Sequence, residues 1–125
     1  MQNPDRKKVL AVVGDLMFTV KINEAARRSG LQVDFVKSEK DALEKAKEQP
    51  LLVILDLNSG AVQPLKLIAK LKGSAETKAI SVLGFISHLD AELKQKAQEA
   101  GCDMVMARSA FSQNLPMILK RHAGA

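Results

Sequence analysis

The sequence predicts an α/β protein with a parallel β-sheet covered by helices on both faces. Five short apolar runs alternate in strict order with five patterns of helical spacing. Such alternation is typical of parallel sheets, because parallel strands need a long, usually helical, connection. The third run, residues 51–55, is apolar at consecutive positions, which indicates a central strand with both faces covered. At 125 residues the chain is most economically one domain, with a core from about residue 8 to 121.

The first strand and helix are predicted at residues 8–13 and 17–28. The segment KVLAVV is short, apolar and rich in valine, which favours a strand over a buried helix. The apolar residues that recur at helical spacing in the helix are Val20, Ile22, Ala25 and Ala26. Gly30 then supplies a helix stop, since glycine readily adopts the left-handed conformation common after a helix.

The second unit begins at residues 31–36, LQVDFV, whose alternation predicts a half-buried strand. One side of that strand carries Leu31, Val33 and Phe35. Ser38 is the predicted N-cap of the following helix, and Asp41 in its first turn favours the positive end of the helix dipole. Pro50 blocks further helix.

The third strand, residues 51–56, is the most apolar run of the chain and ends in a carboxylate, Asp56. The residues that follow, LNSG, resemble a loop. The next helix is indicated by apolar residues at helical spacing, namely Leu65, Leu67, Ile68 and Leu71. Pro64 is compatible with the first turn, because the N–H that it lacks would be unpaired there.

The last two units follow the same plan. The fourth strand is predicted at residues 80–87, ISVLGFIS, and Asp90 is the predicted N-cap of the next helix, which ends at Gly101. The fifth strand is predicted at residues 104–107, MVMA. A final helix is expected to begin near residues 112–116.

Composition limits the classes of function. The formal net charge is +5, but lysine and arginine are interspersed with acidic residues. With no Trp or Tyr and four Phe, little aromatic surface is available for stacking on bases, so no nucleic-acid partner is predicted. No apolar run approaches the roughly 20 residues of a membrane span, and no signal peptide is evident, so we expect a cytoplasmic protein without a membrane partner. The single cysteine, Cys102, excludes an internal disulfide.

Asp56 is the first candidate site residue. In open α/β sheets, ligands and chemistry gather at the carboxyl ends of the strands, near the point where the strand order reverses. A carboxylate at the end of a buried strand is held by the sheet and exposed at that edge. Alternatively, Asp56 opens a turn, with its side chain accepting hydrogen bonds from the backbone around Asn58 and Gly60. The pattern alone leaves both interpretations open.

The order of elements, together with VILDLNSG and AGCDMVMARSAF, resembles the receiver domain of two-component response regulators. The resemblance covers residues from about 8 to 121 and is strongest in LLVILDLNSG and ELKQKAQEAGCDMVMA. It implies a flavodoxin-like (βα)5 sheet of strand order 2-1-3-4-5 and a signalling protein that is not an enzyme. It further implies that Asp56 accepts a phosphoryl group from a sensor histidine kinase or phosphotransfer protein.

The sequence departs from the receiver pattern at the metal site. Receivers hold Mg²⁺ with an acidic pair after the first strand, and here Val13 and Gly14 match those two positions. Asp15 is the only nearby carboxylate, and it is expected to be the N-cap of the first helix. Mg²⁺ requires oxygen ligands in near-octahedral geometry, so a site formed by Asp56, Asp15 and Asn58 is predicted to be weak.

Other family positions also differ. The receiver lysine after the fifth strand is matched by Arg108, whose planar guanidinium is expected to pair with Asp56 or with a phosphate. The aromatic switch position is matched by Val105. Ser87 lies one residue after the family's hydroxyl position, where it could bond a phosphoryl oxygen or form a turn. His88 is expected to be a surface loop histidine.

Three functions remain open. The first is a stand-alone atypical receiver phosphorylated on Asp56, since the chain ends soon after the last predicted helix. The second is a phosphorylation-independent pseudo-receiver that binds other signalling proteins or forms a homodimer. The third is a flavodoxin-like ligand binder or enzyme. The missing acidic pair favours the second, whereas Asp56 and Arg108 favour the first.

Overall fold

Parallel strands and helices alternate through residues 7–59, 62–87 and 90–124, the part of the chain that the computed structural model describes. The strands are β1 (Lys8–Val12), β2 (Gln32–Val36), β3 (Leu52–Asp56), β4 (Ser81–Ile86) and β5 (Met104–Ala107). The helices are α1 (Leu16–Arg28), α2 (Glu39–Ala46), α3 (Pro64–Gly73), α4 (Ala91–Ala100) and α5 (Arg108–Gly124). The sheet order is β2-β1-β3-β4-β5, which confirms the predicted flavodoxin-like topology.

Helices cover both faces of the sheet and form two apolar clusters. On one face, Val53 and Leu55 of β3 pack in the cluster that contains the buried residues of α2, α3 and α4. On the other face, Leu52 and Ile54 pack in the cluster of α1 and α5. All four of these β3 side chains are buried, which explains why the strand is apolar at consecutive positions.

Most helix ends lie where the sequence predicts them. The Ser38 hydroxyl accepts the N–H of Asp41 at 3.1 Å, and Asp90 Oδ1 accepts the N–H of Leu93 at 3.0 Å. Gly101 follows α4 with a φ of 115°, a left-handed conformation that glycine adopts without steric cost. The N-caps Ser38 and Asp90 set where α2 and α4 begin at the carboxyl edge of the sheet, and Gly101 ends α4 at the opposite edge.

Two predictions about the helices are wrong. Helix α5 begins at Arg108 rather than near residues 112–116, and Pro116 lies inside it. The buried residues Phe111, Leu115 and Leu119, spaced four apart, hold this helix against the sheet and outweigh the disfavoured proline. In α1, Val20 is exposed. Phe18, four residues before Ile22, takes the place in the core that the sequence had suggested for Val20.

No helix among the described residues is both long and apolar enough to span a membrane.

Candidate functional site

The candidate residues follow three strands that end at the same edge of the sheet. Asp56 is the last residue of β3, Arg108 follows β5 directly, and Asp15 lies between β1 and α1. Strands β1 and β3 are neighbours, and their register places Val12 beside Leu55. The loops that carry Asp15 and Asp56 are therefore adjacent.

Asp15 caps α1, as the sequence predicts. Its Oδ1 accepts the N–H groups of Met17 at 2.8 Å and Phe18 at 3.3 Å. The hydrogen bond from Phe18 lowers the pKa of Asp15, and the bond from Arg108 lowers it further against an opposing effect of desolvation. The carboxylate is consequently held in its charged form at the start of the helix.

Arg108 forms its ion pair with Asp15, not with Asp56 as expected. A terminal guanidinium nitrogen of Arg108 lies 2.5 Å from Oδ2 of Asp15. The guanidinium carbon is 4.4 Å from the centre of the Phe18 ring, an attractive cation–π distance. Phe18 and Asp15 both belong to the start of α1, so together they draw Arg108 towards that helix. Among the described residues, no salt bridge involves Asp56.

Phe18, which contacts the guanidinium of Arg108, is part of a stack of three phenylalanine rings. The ring centres of Phe18 and Phe85 are 5.0 Å apart, and those of Phe85 and Phe111 are 4.8 Å apart. Sequence reasoning assigned no role to Phe18. The signal that could have revealed it is the spacing of Phe18, Ile22 and Ala25, which places all three on the buried face of α1.

Asp56 is half-buried and forms the turn that the sequence left as an alternative. Its Oδ1 accepts the N–H of Asn58 at 2.9 Å, and its backbone carbonyl accepts the N–H of Ser59 at 3.1 Å. The first of these bonds is typical of an Asx turn. A turn role and a chemical role for Asp56 are compatible, because the side chain still lies at the carboxyl edge of the central strand.

The loop after β3 is tied to β4 at two points. The Asn58 side-chain oxygen accepts the backbone N–H of Ser87 at 2.6 Å. The N–H of Leu57 donates to the carbonyl of Phe85 at 2.9 Å. Ser87 thus contributes its backbone here, and the phosphoryl contact expected of its hydroxyl stays a prediction. His88 lies outside the described residues.

The residues at this edge do not fit Mg²⁺. Both carboxylate oxygens of Asp15 already have partners, and Oδ1 of Asp56 accepts a backbone N–H. Across the described ranges, no group of three or more histidine, cysteine, aspartate or glutamate side chains could hold a metal ion. Mg²⁺ prefers a near-octahedral set of oxygens and binds through carboxylates that are free to ligate it.

Val13, one of the two residues that match the acidic pair of receivers, is buried in the core. Val13 is 1% exposed and belongs to the apolar cluster under α1 and α5. Its side chain points into the core, so this position could not present a ligand at the sheet edge. Gly14 is exposed and Asp15 lies at the edge, so these two residues of the β1–α1 loop border the site.

Solved structures share this fold, although no protein-family model and no curated protein matches the chain. A putative response regulator from Chloroflexus aurantiacus is 21% identical with a TM-score of 0.81, over 96% of this chain and 99% of that one. The phosphorylated cyanobacterial phytochrome response regulator RcpA is 21% identical with a TM-score of 0.79, over 93% and 90%. The Mn²⁺-bound form of the response regulator Rcp1 is 17% identical with a TM-score of 0.75, over 92% and 90%. At these identities the similarity shows the fold, and the resemblance to receiver domains is confirmed at that level.

Proposed function

We propose that this protein is a cytoplasmic component of two-component signalling that acts as a pseudo-receiver. In this role it binds other signalling proteins without being phosphorylated on Asp56. The observation that carries the proposal is the ion pair between Arg108 and Asp15. Arg108 is the cation that would stabilise a phosphoryl group, and Asp15 is a carboxylate that could bind a metal ion. In the ion pair, each of them is already bound to the other.

The electrostatics of phosphoryl transfer explain why this pair matters. Catalysis of phosphoryl transfer consists mainly of positioning and of stabilising negative charge on the transferred group. Arg108 is already neutralised by Asp15 and is held over Phe18. An anionic donor approaching Asp56 would therefore meet a carboxylate with little positive charge to offset the repulsion.

Intact-mass measurement after incubation with acetyl phosphate tests the proposal. We expect the protein to gain no phosphoryl group, with or without MgCl₂. Asp56→Asn is the matched control, because it removes the acceptor and keeps the shape of the side chain. Stoichiometric, Mg²⁺-dependent phosphorylation that Asp56→Asn abolishes would refute the pseudo-receiver role.

A second candidate function is that of an atypical receiver, phosphorylated by a sensor histidine kinase or phosphotransfer protein. It is favoured by the place of Asp56 at the carboxyl end of the central strand, outside any ion pair among the described residues. In that case the guanidinium of Arg108 would leave Asp15 and pair with the phosphoryl group on Asp56. This alternative predicts slow phosphorylation that Mg²⁺ barely accelerates and that Arg108→Ala abolishes.

A further inference from the structure

An apolar cavity lies near the amino edge of the sheet, where the strands begin, against the last turns of α5. Leu52 of β3, Leu83 of β4 and Met104 of β5 line it, and Ile118 of α5 lies on its helical side. Leu83 and Met104 are partners in the strand register, so their side chains point to the same face of the sheet. The cavity is therefore separate from the candidate site around Asp56, which lies at the carboxyl edge.

Three polar side chains also line the cavity, namely Ser81, Arg121 and His122. Nδ1 of His122 lies 2.9 Å from the carbonyl oxygen of Ile118. Because a carbonyl oxygen only accepts, Nδ1 is the donor, and the other ring nitrogen is left for a further hydrogen bond. Within the described part of the chain, the Ser81 hydroxyl has no hydrogen-bond partner. The lining therefore offers polar groups that a ligand could use.

Arg121 gives the cavity an uncompensated positive charge. Its side chain is exposed, and among the described residues no carboxylate lies within salt-bridge distance of it. Asp103 is the acidic residue of the lining, but its Oδ2 accepts hydrogen bonds from Nζ of Lys72 at 2.8 Å and from the N–H of Val82 at 2.8 Å. The ion pair with Lys72 offsets the charge of Asp103. A ligand with a negative charge is consequently favoured.

The volume of the cavity, about 100 Å³, limits the apolar part of that ligand. An apolar cavity of about 150 Å³ holds a benzene molecule, so this one suits a smaller group of about four or five carbon atoms. Met104 is 45% exposed, and the flexible methionine side chain can close over a bound group. A nucleotide is too large for this space.

We propose that the cavity binds a small carboxylate with a short, branched aliphatic body. The branched end fills the space between Leu83, Met104 and Ile118, and the carboxylate pairs with the guanidinium of Arg121. The Ser81 hydroxyl is a second donor for the same carboxylate. This inference goes beyond the proposed role in protein binding and does not depend on it. It gives the protein a chemical input other than phosphorylation, at the opposite end of α5 from Arg108.

An apolar side chain of a partner protein is the competing occupant of this cavity. It would fill the same apolar space, but it would leave the charge of Arg121 without a partner. A small carboxylate satisfies the apolar lining and the guanidinium together, and charge complementarity therefore favours it.

Titration of the protein with sodium isovalerate, followed by two-dimensional amide NMR, tests the proposal. We expect saturable shifts of the amide signals of Leu83, Met104 and Ile118, with a dissociation constant on the order of 1 mM for so small a ligand. Isovaleramide has the same shape without the charge, and acetate has the charge without the branched body. Each should bind about tenfold more weakly, because it lacks one of the two interactions.

Variants of the lining separate charge from shape. Arg121→Gln should weaken isovalerate binding about tenfold and leave isovaleramide binding unchanged, since only the acid pairs with the guanidinium. Lys120→Gln is the matched control, because it removes an exposed charge beside Arg121 that does not line the cavity. Ser81→Leu extends an apolar side chain into the cavity and should abolish the binding of both compounds. The amide spectra verify that each variant is folded.

Several outcomes would overturn the proposal. One is equal binding of isovalerate and isovaleramide, or tighter binding of the amide, which is expected if the natural occupant is an apolar side chain of a partner. Others are equal effects of Arg121→Gln and Lys120→Gln, shifts confined to the loops around Asp56, and no saturable shift at about 50 mM isovalerate. If Ser81→Leu does not fold, the two surface variants still decide. Phosphorylation of Asp56 would refute the pseudo-receiver role and leave this proposal unaffected.

Discussion

The guanidinium of Arg108 lies 2.5 Å from Oδ2 of Asp15 and joins the first residue of α5 to the residue that caps α1. The same guanidinium stands 4.4 Å above the ring of Phe18. One side chain therefore links the start of α5 to the start of α1. It also occupies the edge of the sheet where Asp56 ends the central strand.

The charge of Asp15 is predicted to stabilise the fold in a pH-dependent way. Asparagine caps a helix about as well as aspartate, so Asp15→Asn removes the ion pair and keeps the cap. The pKa of Asp15 is lowered below its ordinary value of 3.8 by the bonds from Phe18 and Arg108. A carboxyl with a lowered pKa contributes stability above its unfolded pKa and loses that contribution as pH falls through its folded pKa.

The wild-type protein should consequently be more stable than Asp15→Asn at neutral pH, and the difference should shrink below the ordinary pKa of 3.8. Urea unfolding of both proteins at about pH 7 and about pH 3 measures this. A difference that is the same at both pH values would show that the charge of Asp15 contributes nothing.

Asp56→Asn should change the free energy of unfolding by less than about 1 kcal/mol. The asparagine oxygen can still accept the N–H of Asn58, which is the bond that Oδ1 of Asp56 accepts now. Urea unfolding at neutral pH gives the difference. Asp56→Ala, which removes that acceptor, should cost more. If Asp56→Asn itself lost several kcal/mol, Asp56 would be a structural anchor rather than a candidate acceptor.

The sequence predicts the sheet well because its signals are local. The run at residues 52–55 is apolar on both faces of the strand, and the strand is central. Ser38 and Asp90 cap helices by accepting N–H groups three positions later, and this short spacing makes the caps predictable from the sequence. Even the turn at Asp56 follows from short-range spacing.

The candidate site is harder to predict because its contacts are long-range. Arg108 and Asp15 are 93 residues apart, and Arg108 also contacts Phe18, whose ring stacks against Phe111 of α5. The resemblance to receiver domains suggested Asp56 as the partner, and the sequence does not show which loop lies beneath the guanidinium. The start of α5 was placed too late for a related reason, because burial of Phe111 against the sheet outweighs the signal of Pro116.

Gly84 is predicted to be required for the close contact between β4 and the loop after β3. A Cβ at this position would lie 2.8 Å from Cγ and Cδ1 of Leu57, which is buried. Gly84→Ala should therefore destabilise the protein by about 1–3 kcal/mol, the usual cost of overpacking. Leu57→Ala should cost less in the Gly84→Ala background than in the unmodified protein, because there it also removes the clashing atoms. A double-mutant cycle by urea unfolding measures the coupling, and additive effects would contradict this contact.

Introducing acidic residues after β1 should have opposite outcomes at Val13 and Gly14. Val13 is buried with Phe18 and Phe111, so Val13→Asp places a carboxylate in an apolar cluster and should cost more than about 3 kcal/mol. Val13→Thr, of nearly the same size, is the control that separates charge from shape.

At Gly14 an added Cβ would meet nothing within 4 Å, and a carboxylate just before the start of α1 also favours the helix dipole. Gly14→Asp should therefore stay folded and add a free carboxylate beside Asp56, whereas the carboxylate of Asp15 remains bound to Arg108. Isothermal titration calorimetry should then detect Mg²⁺ binding that is tighter than in the unmodified protein, because the new oxygen ligand and negative charge both favour the cation. Combining Gly14→Asp with Asp56→Asn should remove that gain. Unchanged Mg²⁺ binding in Gly14→Asp would contradict this prediction. The weak binding would then be due to the positive charge of Arg108, and Arg108→Ala in the Gly14→Asp background should bind Mg²⁺ more tightly.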